Sequence, residues 1–220
     1  MSNNLSPYEV FDFLKKNKIE VSDFKAAFDK KSAVNASSEI GFPVVLKTNS
    51  KKIVHKSDAG CVKVGLISKS DVENAYDEII NNAKRVDKKS NEEGVVVAKM
   101  LPKGVEVIIG VVKDPQFGYM IMFGLGGVFV ELLKDVSFRK IPISLSDAAE
   151  MVDEVKGGAL LKGFRGIPKS DIKSLCTLLV TVSKLAGKNK NIEELDLNPV
   201  IVYPAGCCAA DGRIILKSNG

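Results

Sequence analysis

Tryptophan is absent from the 220 residues, and aromatic residues make up only 6%. So few rings argue against a platform for stacked nucleic-acid bases. The net charge is only +5 and no basic block stands out, so nucleic-acid binding is not favoured. Cysteines occur at 61, 176, 207 and 208, with no C-x-x-C pair, and His55 is the one histidine. A zinc site is therefore not expected, and the adjacent Cys207 and Cys208 do not look like part of a disulfide framework. The opening MSNNLSPYEV is no signal peptide, and no apolar run reaches the roughly 18 residues of a membrane span. Internal repeats and low-complexity segments are also missing. The expectation is a reduced, soluble, cytoplasmic protein.

What is there suits a globular chain. The apolar share is 45% and the charged share 27%, with signs mixed, enough for one large domain or two lobes sharing a core. Ser6-Pro7-Tyr8-Glu9 reads as a capped helix start, and a second helix is expected over 29–40, stopping at Gly41. Val44-Val45-Leu46-Lys47 reads as a buried strand and 62–66 as an alternating one. Ser70-Asp71-Val72-Glu73 reads as a capping box opening a helix to 86, followed by a loop over 87–94. Strands are expected over 95–100, 105–112, 119–124 and 128–133, helices over 146–155 and 170–186, and strands over 194–202 and 213–217. The pairs 95–112 and 119–133 look like hairpins, so the fold class is α+β with antiparallel sheet. The division falls near residue 100: residues 1–100 carry the histidine loop, and 101–220 carry an acidic strand.

Four stretches carry chemistry. Lys47 ends an apolar strand, where its ammonium can meet phosphate oxygens or snorkel at the surface. Gly124-Leu125-Gly126-Gly127 sits at a strand end, either as a backbone cradle for an anion or as a tight hairpin. It is not a P-loop, since no G-K-[ST] follows. In Glu194-Leu195-Asp196-Leu197-Asn198-Pro199, alternation puts Glu194, Asp196 and Asn198 on one face. Those oxygens suit Mg²⁺ carrying nucleotide phosphates, with Asp211 brought alongside by the following hairpin; a solvated edge strand is the plain reading. His55 lies in Lys51-Lys52-Ile53-Val54-His55-Lys56-Ser57-Asp58-Ala59-Gly60. It is either a structural histidine or a nucleophile on a mobile loop with free N–H donors.

Taken together, Gly41-Phe42-Pro43-Val44-Val45-Leu46-Lys47, the His55 stretch through Leu66, Phe123-Gly124-Leu125-Gly126-Gly127 and Glu194 to Pro199 resemble the beta subunit of the ADP-forming acyl-CoA synthetases, an ATP-grasp family. The resemblance implies an ATP-grasp fold, two α+β lobes clamping Mg²⁺ with ADP or ATP. It implies the reversible reaction acyl-CoA + ADP + phosphate giving carboxylic acid + CoA + ATP. A CoA-binding alpha subunit, in an α2β2 assembly, forms a phosphohistidine and passes the phosphoryl group to a beta-subunit histidine, here His55. Lys47 matches the phosphate-binding lysine. Ala98, Lys99, Met100 and Leu101 would face adenine, Glu106 the ribose, and Gly124, Gly126 and Gly127 the phosphates. Asn198 and Asp211 match the metal ligands, with Asp196 nearby. Cys61 departs from the family, where a second glycine is common, and Arg139 and Arg165 have no assigned role. Other readings are an ATP-grasp carboxylate–amine ligase, a nucleotide-sensing module without catalysis, and a plain interaction domain.

Overall fold

The computed structural model describes residues 3–88, 90–127 and 135–217. Elements in chain order are β1 (Asn3–Asn4), α1 (Pro7–Lys16), β2 (Phe24–Ala27), α2 (Lys30–Ile40), β3 (Val44–Thr48), β4 (Val62–Leu66), α3 (Lys69–Val86), β5 (Val95–Lys99), β6 (Val105–Asp114), β7 (Gly118–Leu125), β8 (Val136–Lys140), α4 (Leu145–Glu154), α5 (Ile172–Lys188), β9 (Ile192–Val202), β10 (Cys207–Ala209) and β11 (Gly212–Leu216). Two compact units result. The smaller groups Asn4–Asp12 with Ser22–Pro102, and the larger groups Phe13–Val21 with the chain from Lys103 onward.

The smaller unit is built on a four-stranded antiparallel sheet, order β2-β5-β3-β4. Val44, Leu46, Val95 and Val97 join Ala33 and Ala36 of α2 and Val72, Ala75 and Ile79 of α3 in one core. The helices start where local side chains satisfy the first free N–H groups. Asp29 caps α2 in a reciprocal box with Ser32. For α3 the cap is Ser68 with Asp71, two residues ahead of the expected Ser70 and Glu73. Ser6 and Glu9 form the expected box at α1, with the Ser6 N–H 2.7 Å from Glu9 Oε2. Part of the expected 87–94 loop is a 3-10 turn, Ser90–Glu93.

The larger unit holds a sheet of order β1-β11-β9-β6-β7-β8, with β10 also paired to β9. Val107, Ile109, Val111, Ile121, Phe123, Leu195 and Leu197 are fully buried, and α4 and α5 lie against the sheet. Two expected hairpins change. The strands 95–99 and 105–114 belong to different sheets, so they form no hairpin, and Val95–Lys99 pairs instead with β2 and β3. The return for β7 is Val136–Lys140; the expected 128–133 strand lies outside the described residues. The glycine stretch is therefore not a tight hairpin.

A bulge interrupts β9. On the β6 side the register passes from Val107↔Val200 to Ile109↔Leu197. On the other side it passes from Ala209↔Val200 to Gly212↔Leu197. One extra residue thus sits at Asn198-Pro199, opposite a break at Ala210-Asp211. Pro199 has no N–H to give the ladder, so it is tolerated only at such a break. The extra residue also keeps Leu195 and Leu197 before the bulge, and Val200 and Val202 after it, in the core.

Candidate functional site

In the smaller unit, Lys47 lies on the central strand β3, on the sheet face away from Val44 and Leu46. It is 3% exposed, which rules out a snorkelling surface lysine. Its ammonium sits 4.0 Å from the centre of the Phe11 ring. Phe11 in turn meets Phe24 edge-on at 5.2 Å. On the same sheet Ala98 is paired on both sides, to Phe24 and Val45. The Lys99 ammonium donates to the Gly41 and Phe42 carbonyls at 2.7 and 2.9 Å. The Met100 N–H donates to Pro43 at 3.1 Å, and Leu101 lies in the connection between β5 and β6, half-buried.

His55 is exposed in the loop between β3 and β4. The Ser-Asp-Ala-Gly turn after it is not a set of free donors. The Ala59 N–H bonds to the His55 carbonyl at 3.1 Å, Gly60 to Ser57 at 2.9 Å and Cys61 to Lys56 at 2.7 Å. The last two make the paired arrangement that ends a helix, with Gly60 left-handed at φ +65. Asn82 of α3 donates to the Gly60 carbonyl at 2.9 Å. Ile53 and Cys61 are buried with Ala83, so Cys61 is an anchor. Burial pushes its thiol pKa up.

In the larger unit, Gly126 lies against Glu106. Its N–H donates to the Glu106 carbonyl at 2.7 Å, and a Cβ at 126 would stand 2.9 Å from Glu106 Cβ. Only glycine permits that approach. Gly124 pairs with Ile108 and Val136 inside the sheet, while Gly127 is exposed at φ +67. At the β9 bulge the Asn198 N–H donates to the Asp211 carbonyl at 3.2 Å, which makes these two expected ligands neighbours. Asp196 is two residues along on the same face, opposite Gly110 of β6. Glu194 does not join them: it pairs with Arg213 at 3.5 Å. Among the described residues no group of three or more His, Cys, Asp and Glu side chains could hold a metal. The amide and carboxylate oxygens of Asn198, Asp211 and Asp196 nonetheless fit Mg²⁺, which is usually held by one or two carboxylates with phosphate and water. Sequence reasoning missed Arg213, which stands opposite Asp196 and whose buried Nε has no hydrogen-bond partner. Arg139 is held by Glu154 at 3.0 Å and by Glu150, and Arg165 stacks on Phe164 in a tight turn.

An ATP-grasp domain model matches residues 1–216. The chain belongs to the ATP-grasp family. Within this family it is 44% identical over 208 residues to the acetate–CoA ligase (ADP-forming) I subunit beta of Pyrococcus furiosus, covering 94% of this chain and 90% of that one. It is 46% identical to acetate–CoA ligase (ADP-forming) I of Archaeoglobus fulgidus, covering 90% of this chain but 29% of that protein. The dinucleotide-forming acetyl-coenzyme A synthetase 1 of Ca. Korarchaeum cryptofilum, solved with coenzyme A, Ca-AMPCP and HgCl⁺, superposes with a TM-score of 0.94 at 49% identity, over 98% of this chain and 94% of that one. Another crystal structure of that protein holds coenzyme A and Mg-AMPPCP, with a phosphohistidine segment pointing towards the nucleotide-binding site (TM-score 0.85, 46% identity, 98% and 93% covered).

Proposed function

We propose that this chain is the nucleotide-binding beta subunit of an ADP-forming acyl-CoA synthetase, and that His55 relays a phosphoryl group between a CoA-binding alpha subunit and ADP. The observation that carries the reading is an exposed His55 on a loop otherwise tied down by Ile53, Cys61 and Asn82. A neutral imidazole nitrogen can take the group from a partner phosphohistidine and give it to the terminal phosphate oxygen of ADP. Lys47 and the Gly127 N–H would neutralise charge on the transferred group, the Gly126 N–H being taken by the Glu106 carbonyl. Asn198, Asp211 and Asp196 would hold Mg²⁺, which supplies further charge neutralisation when bound. The histidine loop belongs to the smaller unit and the proposed metal ligands to the larger, a division close to the expected 1–100 and 101–220 except that Phe13–Val21 goes with the larger unit. Glu106 and the 98–101 segment would hold ribose and adenine. The partner assembly would be α2β2, and four free cysteines are in keeping with the cytoplasm.

The test replaces His55 by Asn, which keeps bulk and polarity without a nucleophilic nitrogen. Mixed with the alpha subunit, acyl-CoA, ADP and phosphate, His55→Asn should still bind Mg-nucleotide and allow phosphorylation of the partner, yet make no ATP. ATP formation at the wild-type rate would make His55 structural and favour a histidine-free ATP-grasp ligase.

A further inference from the structure

We propose that Glu93 is a positioning residue for His55, fixing the start of the loop that carries it; the inference rests on the relay reading of that histidine. Glu93 closes the 3-10 turn Ser90–Glu93, just ahead of β5. Its carboxylate grips the chain where β3 gives way to the histidine loop. One oxygen accepts from the Ser50 hydroxyl at 3.1 Å and the other from the Lys51 N–H at 2.9 Å. The Glu93 carbonyl accepts from the Asn49 side-chain amide at 3.1 Å, and the Gly94 carbonyl from the Asn49 N–H at 3.0 Å. Three consecutive residues are thus held by one turn.

The clamp extends to α1. Asn49 Oδ1 accepts the Tyr8 N–H at 3.0 Å, and the Lys51 ammonium donates to Glu9 at 2.8 Å. Burial works to raise the Glu9 carboxyl, but the Lys51 and Ser6 hydrogen bonds outweigh it and leave its pKa below the usual range. Ser50 is 2% exposed and Asn49 9%, so these hydrogen bonds lie away from water, where they are costly to lose. The far end of the loop is fixed separately, through Gly60, Cys61 and Asn82. A loop held at both ends has few conformations, so the two holds determine where the imidazole stands. Phosphoryl transfer needs that accuracy, since a misplacement of about 1 Å can cost on the order of 100-fold in rate.

The chemistry of the clamp dictates the test. Alanine at 93 removes both acceptors. Glutamine keeps the clamp, because its carbonyl can accept the Lys51 N–H while its NH₂ donates to a reoriented Ser50 hydroxyl. Wild type, Glu93→Ala, Glu93→Gln and His55→Asn are each assayed as the full chain with the CoA-binding subunit. Glu93→Ala should lower kcat for ATP formation by about 10- to 100-fold and slow phosphorylation of His55, with the Kd for Mg-ADP within about twofold of wild type. Glu93→Gln should regain most of the rate. Should Glu93→Ala not fold, Glu93→Asp replaces it; its shorter carboxylate cannot reach Ser50 and Lys51 together and should lower kcat likewise. A wild-type rate in the truncated variants overturns the proposal. So does weakened ADP binding with unchanged kcat per folded molecule, the mark of a merely structural glutamate. If His55→Asn matches wild type, or wild type carries no phosphate on His55, the relay reading fails and the inference with it, which distinguishes that failure from failure of the clamp alone.

Discussion

The Lys47 ammonium stands 4.0 Å from the centre of the Phe11 ring, and both residues are buried. A desolvated lysine is costly, and a cation–π contact offsets about 2 kcal/mol of that cost when water is excluded. The arrangement places a positive charge on the sheet face that does not pack against α2 and α3.

Replacing Lys47 by Met keeps the apolar stem and removes the charge. The readout is the shift that nucleotide adds to the melting temperature, taken for each protein relative to its own ligand-free value. Wild type should gain about 2.7 kcal/mol from Mg-ATP at 100 times its Kd, and Lys47→Met much less. Thermal melts with and without Mg-ATP decide it. An undiminished shift would remove Lys47 from the phosphate site.

Asp211→Ala keeps the bond from the Asn198 N–H, which goes to the backbone carbonyl of residue 211. It removes one of the carboxylates proposed for Mg²⁺. Nucleotide affinity titrated against Mg²⁺ should need roughly tenfold more metal, a loss of about 1.4 kcal/mol of binding. An unchanged Mg²⁺ midpoint would take Asp211 out of the metal site.

Cys61→Gly puts in place the second glycine that the resemblance leads us to expect at this position. It empties a buried position beside Ile53 and Ala83 and adds backbone freedom, together costing about 1–2 kcal/mol. Urea unfolding should show the lower midpoint, while ATP formation per folded molecule stays near wild type. A stability equal to wild type would show that Cys61 is not an anchor.

Asp171 caps α5, accepting from the Ser174 hydroxyl and N–H at 2.6 and 3.0 Å and from the Gly206 N–H at 3.0 Å. These bonds lower its pKa from 3.8 to about 2. A depressed folded pKa means stabilisation that is present above the unfolded value and disappears as pH falls through the folded one. Wild type should lose melting temperature between pH 4 and pH 2. Asp171→Asn should start lower and fall less over that window. Parallel slopes for the two proteins would contradict the cap.

Local chemistry was legible in the sequence. Helix starts at Ser6 and near Asp29, the stop at Gly41 and the alternation of Leu195 and Leu197 with Glu194, Asp196 and Asn198 depend on residues only a few positions apart. The adjacency of Asn198 and Asp211 was also readable, because a short return connects their strands. The partners of β5 were not readable: an apolar run states that both its faces are covered, but not by which strands. Nor did residue type show that Lys47 lies over Phe11, that Arg213 rather than an ion takes Glu194, or that Glu93 grips Ser50 and Lys51. Those pairings join residues distant along the chain, and only the packing of strands and helices around a core brings them within reach.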